Sequence, residues 1–189
     1  DFQIETAITE ALGRQPILRR VLADVPRAKR ELRKLANNPP GIEDALRDIV
    51  RGYTLSRTDH EAVFALVRPE VEGESFVDRL ARIDPDHPDI EALYDAFLTK
   101  EFTARKTLLK KATAIIIPDI AERITAEALR LELAHGERVR AELIARSEAL
   151  LYVISAISSL YEKAKRSRSL LDFDDLVERL GVLLDNEVQ

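Results

Sequence analysis

Three groups of residues combine side-chain types and spacing that can do chemistry. Asp172, Asp174 and Asp175 crowd one turn of the stretch SLLDFDDLVERLGVLLDN, residues 169–186. Clustered carboxylates can hold a hard cation such as Mg²⁺ or serve as catalytic acids. The same residues also suit a helix start. Asp172 would be the N-cap, with Asp174 and Asp175 in a first turn whose dipole favours negative charge. The second group is Thr103-Ala104-Arg105-Lys106-Thr107-Leu108-Leu109-Lys110-Lys111, with four cations and two hydroxyls in nine residues. The third is Lys163-Ala164-Lys165-Arg166-Ser167-Arg168, with four cations in six. Such groups hold backbone phosphates, which gives affinity without sequence information. The candidate phosphate ligands are Thr103, Arg105, Lys106, Lys110 and Lys111 from the second group, and Lys163, Lys165 and Arg166 from the third. The competing explanation is a solvated helix face, and for the third group a last helical turn whose negative end attracts cations.

Other chemistries lack their residues. None of the six glycines precedes a lysine, so a GxxxxGK(S/T) phosphate loop is missing, as are GxGxxG and GxSxG. The absence of cysteine rules out disulfides, cysteine-based zinc sites and thiol catalysis. His60, His87 and His135 lie far apart in sequence, so each is expected at the surface or at a cap. No nucleophile, base and oxyanion hole assemble, and neither a catalytic residue nor a metal ligand is assigned.

Elements must position the candidate groups, and the composition says of which kind. Ala, Leu, Glu and Arg dominate, glycine is scarce, and apolar residues make up 46% of the chain. That mix predicts an ordered all-α protein built on one long helix, kinked or not. The net charge of −5 hides basic zones, with 14 Lys/Arg against 9 Asp/Glu over residues 100–168 and 8 against 2 over 14–34. Basic zones on an acidic chain are compatible with a nucleic-acid face. No apolar run approaches the ~20 residues of a membrane span, and no signal-peptide pattern opens the chain; a cytoplasmic protein with no membrane partner is expected. The sequence has no methionine, so a fragment or processed product is expected.

The pattern predicts helices over Ile4–Leu12, from Pro16 with a break at Pro26, and over Ile42–Val50 with a stop at Gly52. A capping box at Thr58-Asp59-His60-Glu61 would start another, running to Val67. Ser75 would cap a short helix, and Ile90–Phe97 would follow the loop Asp84–Pro88. Pro118 would open the long helix to Arg166, with Gly136 as a possible kink. Its apolar stripe would be Ile120, Ile124, Ala128, Leu131, Val139, Leu143, Leu150, Ile154, Ile157, Tyr161 and Ala164.

Two segments resemble a known family. Tyr161 through Val177, containing LLDFDDLV, resembles the UvrD/RecB group of superfamily 1 helicases, in which a Tyr- and Lys-containing helix leads into an LDFDDL-like run. Ala96 through Leu108, AFLTKEFTARKTL, resembles the corresponding segment of AddA-type helicase-nucleases of bacterial double-strand break repair. Those relatives usually carry Gly near Phe102 and often Pro at Ala104, and this chain departs from them there. The resemblance covers about residues 94–186. It implies an internal fragment: residues 1–168 a helical accessory subdomain of the type called 1B, and 169–189 a return into the first motor domain. The parent would be an ATP-dependent 3′–5′ DNA helicase and exonuclease using ATP and Mg²⁺, partnered by duplex DNA and by a second subunit. The fragment would have no cofactor and no activity of its own, and Asp172 would start a helix. Two alternatives stand beside it. One is a helical module that binds a partner protein; the other is a small Mg²⁺ enzyme using the aspartate cluster.

Overall fold

A computed structural model describes residues 20–70 and 74–168. The helices are α1 (Val25–Leu35), α2 (Ile42–Arg51), α3 (Arg57–Leu66), α4 (Phe76–Leu80), α5 (Ile90–Phe97), α6 (Lys111–Ile116) and α7 (Pro118–Ser167). The fold is all-α and built on the long α7. Among the described residues, extended pairing is limited to one bridge between Leu98 and Ala104. The helix expected over Ile4–Leu12, the start at Pro16 and the Asp172 cluster lie outside the described residues.

Local chemistry sets most boundaries. Pro26 sits in the first turn of α1, where its missing N–H costs nothing. Asp24 accepts a hydrogen bond from the Arg27 amide at 2.9 Å, so the break expected at this proline is a capped helix start. Asn37 and Asn38 end α1 with φ of 61° and 49°, a left-handed conformation that asparagine tolerates better than most residues. Ser75 and Asp78 form the capping box of α4, and Asp89 caps α5. The run Ile115–Ile117 is no strand, for α6 ends at Ile116 and Ile117 turns the chain into Pro118.

The capping box of α3 differs in register from the expectation. Ser56 caps the helix, its Oγ accepting from the Asp59 amide while Asp59 accepts from the Ser56 amide at 2.9 Å. The Thr58–Glu61 pair, two residues later, is not used. Asp59 wins because it also meets Arg123 of α7 at 2.5 Å and is buried there. Those hydrogen bonds and the Arg123 charge hold its carboxyl below the usual range, against the desolvation that pushes it up.

By their contacts the described residues form two compact units, one within 33–145 and one joining 20–32 to 146–168. In the first, α4 packs on α3 and α5, and α5 packs on α2. The core joins Ile49, Val63, Phe76, Leu80, Leu93 and Phe97 to Ile124, Ala128 and Leu131 from the start of α7. Each such large side chain contributes ~1.5–3 kcal/mol by leaving water. A polar strut crosses this core. Glu127, fully buried, binds Arg130 at 2.6 Å and accepts from the Thr54 hydroxyl at 2.8 Å. Arg130 in turn donates to the Ile49 carbonyl at 3.0 Å, neutralising the negative end of α2. In the second unit, Lys29 of α1 binds Glu148 of α7 at 3.2 Å and lies 4.7 Å from the centre of the Tyr152 ring.

α7 runs for 50 residues, about 75 Å at ~1.5 Å per residue. Gly136 does not interrupt it. The expected apolar stripe divides. Ile124, Ala128 and Leu131 are buried, whereas Val139, Leu143, Leu150, Ile157 and Tyr161 are exposed. Further along, Ala141, Ile144 and Glu148 are the buried positions instead. Eighteen residues of α7 reach a mean hydropathy of 1.4 and are 6% buried. By length and composition alone this helix is long and apolar enough to cross a membrane. A single helix of this kind is weak evidence of a membrane.

Candidate nucleic-acid interface

The first basic group begins where α5 ends. Leu98 is buried and anchors the exit. Thr99 then closes a tight turn: its amide donates to the Thr103 carbonyl at 2.8 Å, and the two hydroxyls meet at 2.8 Å. The Arg105 amide returns to the Phe97 carbonyl at 3.0 Å. The Ala104 amide donates to Glu132 of α7 at 2.9 Å, tying the turn to the long helix.

Phe102, at the tip, holds φ of 57°. That is the left-handed region, costly for a bulky side chain and natural for glycine. The residue here is a phenylalanine, yet its backbone keeps the conformation a glycine would choose. Ring contacts hold it there. Phe102 stacks on His135 with centroids 4.0 Å apart and planes at 4°. Tyr94 meets both edge-on, at 5.7 Å from Phe102 and 5.3 Å from His135.

The five candidates of this group divide by geometry. The Thr103 hydroxyl is engaged by Thr99. Arg105 is half-buried and donates to the Asp95 carbonyl at 3.2 Å, so it braces the loop against α5. Burial, helped by the nearby Arg79 charge, lowers its pKa from the ordinary value. Lys106, Lys110 and Lys111 are exposed, and no ion pair among the described residues engages them. Leu108 and Leu109 are half-buried on the core and anchor the segment between them. They also line a cleft of ≈ 320 Å³ with Val67, Phe76, Lys110 and Thr113.

Electrostatics separates the two basic groups. Lys110 is the N-cap of α6 and Lys111 its first residue, with no acid in the first turn. The helix dipole disfavours cations at that end, so helix stabilisation does not explain these lysines. Lys163, Lys165 and Arg166 occupy the opposite situation, in or next to the last turn of α7, where the dipole welcomes them. Lys163 and Arg166 are exposed, whereas Lys165 is buried, 3.6 Å from Glu162 and 5.3 Å from the Tyr161 ring centre. The two groups belong to different units.

Two histidines expected at the surface or at caps are not there. His60 is buried, its Nε2 at 2.7 Å from the Tyr53 hydroxyl and its ring edge-on to Phe64. Burial lowers its pKa from the ordinary 6.5, and burial lowers that of His135 likewise. His87 is exposed. Sequence reasoning missed the Tyr94–Phe102–His135 cluster, whose members are spread over three elements. Among the described residues no group of three or more His, Cys, Asp or Glu side chains converges as a metal site. Set against protein-family models, curated proteins and solved structures, the chain matches none.

Proposed function

We propose that the chain is a helical accessory subdomain that holds duplex DNA by its backbone phosphates. Its parent would be an AddA-like, ATP-dependent 3′–5′ helicase and exonuclease acting with a second subunit. ATP and Mg²⁺ would act elsewhere in that parent. The observation carrying this reading is the exposed trio Lys106, Lys110 and Lys111, two of which sit where the helix dipole opposes them. Their cost to α6 is offset when an anion arrives. Thr103 and Arg105 shape the loop, and Lys163 and Arg166 are further exposed cations on the other unit, with Lys165 braced by Glu162 beside them. The resemblance of residues 94–186 supplies the parent enzyme.

Changing Lys106, Lys110 and Lys111 together to Ala should weaken binding to two unrelated duplexes by the same factor, because phosphate contacts carry no sequence information. A loss confined to one sequence, or no loss, contradicts the assignment.

A second reading is favoured by one observation. Leu150, Val153, Ile157 and Leu160 of α7 are each more than half exposed, a large apolar face for a helix. On this reading the face binds a partner subunit. Capture of the cognate subunit that persists at high salt would favour it, since apolar contacts are not screened.

A further inference from the structure

We infer that Phe102, backed by His135 and Tyr94, is a stacking platform for one unpaired nucleobase beside the phosphate-holding lysines; the inference rests on the DNA reading above. The backbone at this spot is strained, and the ring contacts that hold it leave the Phe102 ring partly open. Phe102 holds a left-handed φ of 57° where glycine would sit unstrained. The residue so strained remains 42% exposed, so it is not kept for burial. Two buried polar atoms beside this turn, His135 Nδ1 and Arg105 Nε, lack hydrogen-bond partners among the described residues. Unpaired buried polar groups and strained backbone concentrate where function is selected over stability.

The chemistry of the ligand follows from the neighbours. His135 takes one face of the Phe102 ring and fixes its plane at 4°. A flat, rigid and partly open aromatic surface accepts another flat ring by stacking. Lys100 and Lys106 flank Phe102 in the chain and are exposed, with Glu101 the one acid between them. An aromatic ring flanked by cations suits a base together with its phosphate, and every base offers a π-face whatever its identity. A paired base within a duplex offers no such face, so the platform selects an unpaired nucleotide at a junction or end.

The test uses the whole chain and two DNAs, a blunt duplex and the same duplex with a short single-stranded tail carrying a fluorescent adenine analogue. The wild-type chain should bind the tailed DNA about tenfold more tightly and quench the analogue by stacking. Phe102→Gly removes the ring and suits the backbone, so it should fold, lose the quenching and bind both DNAs equally. Phe102→Tyr should retain the wild-type behaviour. Quenching that survives in Phe102→Gly, or tailed and blunt DNA bound alike by the wild type, overturns the platform. Blunt-duplex binding in that second case leaves the phosphate reading standing, whereas binding to neither DNA overturns both.

Discussion

Gly52 needs to lack a side chain for reasons of space. Its φ of −79° is open to any residue. A Cβ there would lie 2.5 Å from Arg130 Nη1 and 2.8 Å from the Asp48 carbonyl. Gly52→Ala should therefore push Arg130 off the end of α2 and lower stability by about 1–3 kcal/mol, measurable by chemical denaturation; an unchanged midpoint contradicts the close approach. The histidines carry a second prediction. Both His60 and His135 have folded pKa values lowered below 6.5, mainly by burial. The unfolded chain then binds protons more readily, so stability is complete above pH 6.5 and falls as pH drops toward the folded values. Asp59, Asp78 and Asp86 are lowered below 3.8, and their loss comes only in stronger acid. A denaturation midpoint that declines between pH 7 and 5, and declines less in His60→Gln, is expected. A flat profile over that range contradicts the burial of these rings.

Much of the element order was legible because proline, asparagine and N-cap chemistry act locally. Ser75 and Pro118 mark the boundaries they were expected to mark, and Pro26 marks a capped start instead of a break. The register of α3 was not legible, since two S/T-x-x-acid patterns overlap and the choice depends on Arg123, sixty-four residues away from Asp59. The apolar stripe of α7 was misread for a similar reason. Periodicity locates apolar faces, but which of them is covered depends on what packs there. The candidate site was half legible: the lysines announce themselves, whereas the Phe102 conformation and the burial of Lys165 are tertiary facts. Gly136 supplies the prediction at this scale. A Cβ there meets nothing within 4 Å, and the helix runs through it. Gly136→Ala should therefore stabilise the chain by ~0.5–1 kcal/mol, the helix-propensity difference, seen as a raised melting temperature. A destabilised variant would mean that the helix is bent or approached closely at that point.

For the whole molecule, the net charge of −5 argues against indiscriminate attraction to polyanions. On the proposed DNA reading, affinity would come from local basic patches, which is why the exposed lysines after the Phe102 turn bear the functional claim. The most direct test is fluorescence anisotropy of a labelled duplex across a salt series, with the wild type and the Lys106/Lys110/Lys111→Ala variant. The account predicts that affinity falls steeply with salt and that the variant's logarithmic slope is shallower by about two to three, roughly one per lost phosphate contact. No binding at low salt, or the same slope in both proteins, would contradict it and move attention to the exposed apolar face of α7.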